Sequence, residues 1–214
     1  MTRIADGLPL HEIGDQLHRI VDELAEKFHG VFGRDTVQRF VTETYDLLDA
    51  QATVRVHLAT LTARFAKQRL TDFGRVQGLT TVDVPQVLFI CVHNVGRSQM
   101  AAALLEHHAF GKVAVRSAGS RPQGDIPSVI TEALGELRIP LTEAFPKPLT
   151  DEVVRAADVV VTMGCGDACP VYPGKRYLDW DVADPAGASP SEVRRIRDDV
   201  DRRIRELVSE LVGD

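Results

Sequence analysis

Hydrophobic positions along the chain follow two regimes. Over residues 1–73, Leu10, Ile13, Leu17, Ile20, Leu24 and Phe28 recur at steps of three and four. That spacing places them on one face of an α-helix. Gly30 and Gly33 interrupt the pattern. Asp35 is placed to cap a second helix with Val37, Phe40, Val41, Thr44, Leu47 and Leu48 facing inward. Thr53 is placed to cap a third, with Val54, Leu58, Leu61, Phe65 and Phe73 inside. Three amphipathic helices with short joints predict a small antiparallel bundle. A bundle of about 70 residues builds only a marginal core alone. Packing on a neighbour or on a second copy of the chain would help, so a homodimer through this region is a candidate assembly.

Gly74, Gly78, Thr80, Thr81 and Pro85 read as a linker. Beyond it strands and helices alternate. Val87–Val92 (VLFICV) is a continuous apolar run, as in a strand buried on both faces. Residues 98–110 read as a helix and 113–117 as a second strand. Pro127 suits the first turn of a helix running to about Leu137, and Thr150 opens a shorter one. Residues 158–163 (DVVVTM) form a third strand and 177–180 a fourth. The last helix covers 191–212, with Val193, Ile196, Val200, Ile204, Leu207 and Leu211 on one stripe. The predicted architecture is α/β, a doubly wound parallel sheet preceded by a small all-α three-helix bundle. The expected domains are 1–80 and 81–214.

Composition narrows the function classes. The 214 residues are 44% hydrophobic and 26% charged, within the globular range. The formal net charge of −6 gives little gain from counterion release on a phosphate backbone. General nucleic-acid binding is therefore not expected. No apolar run approaches the roughly 18 residues that span a bilayer, and the N-terminus lacks a secretion pattern. The three cysteines, Cys91, Cys165 and Cys169, are too few and odd in number for a disulfide scaffold. A reducing cytoplasm is the expected location, where thiols stay available for chemistry.

The informative segment is Cys91-Val92-His93-Asn94-Val95-Gly96-Arg97-Ser98. A cysteine closes the first strand, five residues form a loop, and Arg97 and Ser98 open a helix. A helix N-terminus aims backbone N–H groups and a positive dipole end at one point. That cradle, from Cys91 to Ser98, suits a tetrahedral oxyanion. Arg97 can add a two-pronged contact to it. The same field favours the Cys91 thiolate, the nucleophilic form, and the Ser98 hydroxyl is placed to donate to it. Gly96 is expected to supply the positive φ of a tight anion loop. Asn94 tolerates such a φ too, and its side chain can brace the loop. The glycine-rich run ending in Gly-Lys-Ser/Thr of nucleotide loops is absent from the sequence.

Two further elements belong to the same sheet edge. Asp184-Pro185 falls in the loop before the last helix. There Asp184 is a candidate general acid for the leaving oxygen, although Asp-Pro is also a common turn pair. Cys165 and Cys169 follow the third strand in a glycine-bearing loop. They can join in a disulfide after local rearrangement. The alternatives are small loop residues of no chemical role or a metal site, but no second Cys/His pair has zinc-ligand spacing.

These residues bring a family into view. Residues 86–212 resemble the low-molecular-weight protein tyrosine phosphatase fold, and more closely its arsenate reductase branch. The motifs that carry the resemblance are Cys91-x5-Arg97-Ser98, Arg116-Ser117-Ala118-Gly119 and Asp184-Pro185. Phosphatases of this family follow Arg-Ser with Pro and place tyrosines after Asp-Pro. Here Gln99-Met100 follows, and Ala186-Gly187 stands after Asp-Pro, so no aromatic wall faces a phosphotyrosine ring. Potassium-binding reductases carry a glutamate where this chain has Ala102, so no metal site is carried over.

The resemblance implies an arsenate reductase. Reducing arsenate takes two electrons, so a second thiol must take the arsenylated sulfur. Cys165 is the implied partner, forming Cys91–Cys165 as arsenite leaves. Cys169 would then free Cys91 and leave Cys165–Cys169 for an external reductant. The catalytic set implied is Cys91, Arg97, Ser98, Asp184, Cys165 and Cys169. No bound cofactor is implied. Thioredoxin is the implied reductant, with mycothiol as the alternative. A low-molecular-weight protein tyrosine phosphatase is the alternative activity. A third reading makes the protein a binding or sensor module.

Overall fold

The computed structural model describes residues 10–52, 55–81, 83–141, 144–164 and 169–213. The Leu10 side chain, Thr53, Val54 and Cys165 lie outside the described residues. The chain divides into two compact units, Met1–Thr81 and Val82–Asp214.

The first unit holds helices α1 (Leu10–Lys27), α2 (Arg34–Asp49) and α3 (Leu58–Val76). Ile20, Val21, Leu24, Phe28, Val37, Phe40, Val41, Ala66 and Leu70 form one shared core. Burying each larger apolar side chain contributes about 1.5–3 kcal/mol. Phe73 is half-buried and closes the core through rings, with centroids 5.6 Å from Phe32 and 5.1 Å from Phe40. The buried Arg69 guanidinium lies 4.9 Å from the Phe40 ring and donates to Thr44 Oγ1 at 3.0 Å.

Three local predictions change here. The N-cap of α2 is Gly33, and Asp35 sits in the first turn, where its charge meets the positive helix end instead of capping it. Helix α3 starts at Leu58 with His57 at the N-cap, after the position assigned to Thr53. Gly74 is no linker residue. It is buried inside α3, where a Cβ would stand 3.1 Å from Thr80 and 3.3 Å from Phe32. A close approach of neighbouring chain, not a break in the helix, selects glycine there.

The second unit contains β1 (Gln86–Cys91), α4 (Arg97–Ala109), β2 (Ala114–Gly119), α5 (Ser128–Gly135), α6 (Asp151–Ala156), β3 (Val159–Thr162), β4 (Arg176–Asp179) and α7 (Pro190–Val212). All pairings are parallel, in the order β2-β1-β3-β4. Pro127 is the N-cap of α5, one place before the first turn. The alternation of side chains along β1 sorts the two faces. Val87, Phe89 and Cys91 join one core with residues of α4, α5 and α7. Leu88 and Ile90 join another with Val153 and Val154 of α6.

Register decides what reaches the site. Cys91 pairs with Gly119, and Ile90 with Thr162. The C-terminal ends of β1, β2 and β3 are therefore level, and Met163 N–H bonds to the Ile90 carbonyl at 2.8 Å. Segments leaving these strands start from one edge, the usual place for a ligand in such sheets. The loop carrying Asp184 ends at a capping box: Ser189 Oγ accepts from the Glu192 N–H, and the Glu192 carboxylate accepts from the Ser189 N–H. That fixes the point where this loop hands over to α7.

Candidate active site

Cys91 ends β1 in a buried position, and its sulfur faces two polar groups. Ser98 Oγ lies 3.0 Å away, and the Asn94 N–H donates to Sγ at 3.2 Å. Asn94 Nδ2 donates to Ser98 Oγ at 2.7 Å. With that acceptor position filled, the Ser98 proton is free to point at the sulfur. The Asn94 N–H is a fixed donor to this sulfur, and the Ser98 hydroxyl stands within hydrogen-bond reach of it. Helix α4 begins at Arg97, and its first return bond runs from Met100 N–H to the Gly96 carbonyl at 2.9 Å. The Arg97, Ser98 and Gln99 amides precede it and have no intrahelical acceptor, as at any helix start. These amides and the dipole end make the vicinity of Cys91 suited to an oxyanion.

The loop conformation departs from one expectation. Gly96 has φ −124°, so it does not supply the positive φ. Asn94 does, at φ 55°. Its side chain offsets the strain through a network: Oδ1 accepts from Lys147 N–H at 2.8 Å and from Gln99 Nε2 at 3.1 Å. Gln99 Nε2 also donates to the Asn94 carbonyl at 3.0 Å and the Phe145 carbonyl at 2.8 Å. Gly96 is needed for a different reason. A Cβ there would stand 2.8 Å from Pro185 Cγ. Gly119 similarly leaves room for the loop, since a Cβ would stand 2.8 Å from the Val92 carbonyl oxygen.

Arg97 joins the loop to the Asp184 segment. Its Nη2 donates to Asp184 Oδ2 at 2.9 Å, and Nη1 donates to the Val182 carbonyl at 3.4 Å. Its Nε is buried and has no hydrogen-bond partner. Asp184 is more exposed, and its Oδ1 accepts from the Ala186 N–H at 3.1 Å. The structure thus brings Cys91, Asn94, Ser98, Arg97 and Asp184 together. Val92 and Val95 are half-buried within the loop, and His93 is exposed on it.

The two remaining sulfurs stand differently. Cys165 lies outside the described residues. Cys169 packs on the α6 side of the sheet with Leu149, Tyr172 and Tyr177, across the sheet from the core that includes Cys91. Tyr172 anchors this segment: its hydroxyl donates to Asp151, and its N–H donates to Tyr177 Oη at 2.9 Å. The Asp151 partner raises the Tyr172 phenol above its ordinary range.

Sequence reasoning missed Lys147 and gave Gln99 no role beyond marking a branch. Lys147 is buried. Its ammonium donates to the Phe145 carbonyl at 3.1 Å and lies 4.6 Å from the Phe145 ring centroid. Burial, with Arg116 nearby, pushes it down to about 8. In the sequence Lys147 stands between Pro146 and Pro148 and Gln99 between Ser98 and Met100, and neither setting singles out a role.

Comparison with known proteins identifies the family of this fold. Residues 86–214 match the model of the low molecular weight phosphotyrosine protein phosphatase family, and residues 17–74 match a protein-tyrosine-phosphatase-like N-terminal domain. The chain belongs to the low molecular weight phosphotyrosine protein phosphatase family and carries that N-terminal domain ahead of it. It is similar to a thioredoxin-dependent arsenate reductase of Corynebacterium glutamicum, with 48% identity and a TM-score of 0.83. That match covers 92% of this chain and 96% of the other. Arsenate reductase 2 of Staphylococcus saprophyticus is 35% identical over 130 residues, 59% of this chain and 98% of the relative. An arginine phosphatase of Geobacillus stearothermophilus shares the fold at 28% identity and a TM-score of 0.52, over 59% of this chain and 92% of the other.

Proposed function

We propose that the protein reduces arsenate to arsenite through Cys91 and a relay of thiols. The Cys91 thiolate attacks arsenic while Asp184 protonates a leaving oxygen, which departs as water. The adduct holds an S–As bond with arsenic still pentavalent. The Cys165 thiolate then attacks Cys91 Sγ. An S–S bond forms, the S–As bond breaks, and its electron pair stays on arsenic, which leaves as trivalent arsenite. The Cys169 thiolate attacks Cys165 Sγ and expels the Cys91 thiolate, leaving Cys165–Cys169. A dithiol protein of the thioredoxin type returns both thiols and takes the disulfide.

The observation that carries this reading is the Cys91 sulfur receiving Asn94 N–H and Ser98 Oγ beside a helix N-terminus. The relative that is similar over both units, and thioredoxin-dependent, supports the choice of chemistry. In this reading Arg97 Nε, buried without a partner, binds an arsenate oxygen. The site needs no bound cofactor, and a reducing compartment such as the cytoplasm keeps the resting thiols available. The helical unit serves structure or self-association, and a strict monomer in light scattering at high concentration contradicts the latter.

The test is arsenate-dependent NADPH oxidation with thioredoxin and thioredoxin reductase. Cys91→Ser and Cys165→Ser are expected to abolish turnover, and Cys169→Ser to stop recycling by thioredoxin. Normal turnover by Cys165→Ser contradicts the relay. Turnover with mycothiol instead of thioredoxin replaces the reductant. The phosphatase reading rests on the shared loop and on Asp184 beside Arg97. It predicts efficient phosphotyrosine hydrolysis that needs Cys91 and Asp184 but not Cys165.

A further inference from the structure

Gly164 directly follows Met163, the residue whose N–H continues the β1–β3 pairing, and precedes the Cys165 segment. Its φ is +72°, and a Cβ built on it would stand 2.8 Å from Arg97 Nη1 and 3.6 Å from Arg97 Cζ. Real Cβ atoms do not approach other atoms so closely, so a side chain at 164 displaces the guanidinium. That group is a flexible side-chain end, and the fold can accommodate its displacement. The site cannot do so without loss, because the same guanidinium is held by Asp184 Oδ2 at 2.9 Å and the Val182 carbonyl at 3.4 Å.

We propose that Gly164 is a positioning residue for oxyanion binding: its missing side chain is the space in which Arg97 sits. The inference rests on Arg97 acting as the anion ligand in the proposed function. Two causes could select glycine here, the positive φ and the contact with Arg97, and they separate experimentally. Asparagine tolerates the left-handed region but keeps the Cβ that meets Nη1. Alanine suffers from both. Loss shared by the two variants therefore reports the contact.

The experiment uses the full chain with Cys165→Ser and Cys169→Ser, which leaves Cys91 as its single thiol. Iodoacetamide labelling of Cys91 is followed with increasing inorganic phosphate, and protection reads oxyanion binding without any relay step. Gly164→Ala and Gly164→Asn are expected to need at least tenfold more phosphate for half-protection. Their labelling rates without phosphate should stay within twofold of the parent, because the Asn94 and Ser98 contacts to sulfur are untouched. With all three thiols present, the arsenate KM should rise by a similar factor while kcat changes less. Protection at parental phosphate concentrations in both variants overturns the inference and leaves the proposed function standing. Parental protection in the asparagine variant alone also overturns it, because φ would then be the cause. Absence of protection in the Gly164 protein overturns the oxyanion loop itself, and this inference with it.

Discussion

Ser98 Oγ sits 3.0 Å from Cys91 Sγ while receiving a hydrogen bond from Asn94 Nδ2 at 2.7 Å. Its proton is free to point at the sulfur when Cys91 is ionised. A hydrogen bond to a charged group is worth about 1.5–3 kcal/mol. Ser98→Ala is expected to lower kcat/KM for arsenate roughly 10- to 100-fold and to slow Cys91 alkylation at neutral pH. An alkylation rate equal to that of the parent would remove Ser98 from the chemistry.

Gln99 is the hub under the loop. One side-chain nitrogen serves the Asn94 carbonyl, Asn94 Oδ1 and the Phe145 carbonyl from a buried position. Gln99→Leu keeps the volume but strips the donor, leaving buried acceptors under-satisfied at about 1–3 kcal/mol. A lower midpoint in denaturant and a raised arsenate KM are expected together. Full stability with an unchanged KM would show that the loop holds its shape without Gln99.

Gly96 and Pro185 limit each other. A methyl at 96 meets the Pro185 ring at 2.8 Å and forces the Asp184–Pro185 segment outward, away from Arg97. Gly96→Ala is expected to cut turnover at least tenfold. Adding Pro185→Ala removes the opposing ring atom and should recover part of that loss, so the double-mutant cycle is non-additive. Strictly additive effects would place the cost elsewhere.

Lys147 yields a pH signature. Its folded value of about 8 lies below the ordinary 10.5. Between these values the unfolded chain binds more protons than the native one, so stability rises with pH. The penalty, about 3 kcal/mol from the size of the shift, is fully present below about pH 8 and vanishes above 10.5. Lys147→Met should be more stable than the parent at pH 7, and that advantage should shrink as pH rises towards 10.5. Urea unfolding of both proteins at pH 7, 9 and 10 measures it. A difference constant with pH would contradict the assignment.

The strands and the Cys91 loop were legible because their signals are local. An apolar run of hexapeptide length, a cysteine, five residues and an Arg-Ser pair occupy one short stretch. The helical stripes survive for the same reason, and Ile20, Leu24, Phe28, Val37, Phe40 and Val41 all share the first core. What escaped depends on contacts between distant segments. Glycine at 96 suggested a backbone angle, but its use is clearance for Pro185. Gly74 suggested a linker, but its use is clearance for Thr80 and Phe32 inside a helix. Lys147 and Gln99 meet at Asn94 from different parts of the chain, and no spacing announces that meeting. Cys169 packs against the cluster of Leu88, Ile90 and Val153, a placement its CxxxC spacing does not contain.

The most direct test of the relay is mass spectrometry of cysteine pairing after a single arsenate turnover without reductant. The expected product is a Cys165–Cys169 disulfide with Cys91 reduced, and in Cys169→Ser a trapped Cys91–Cys165 disulfide. Arsenite release with all three thiols still reduced, or release of phosphate from phosphotyrosine as the only turnover, would contradict it.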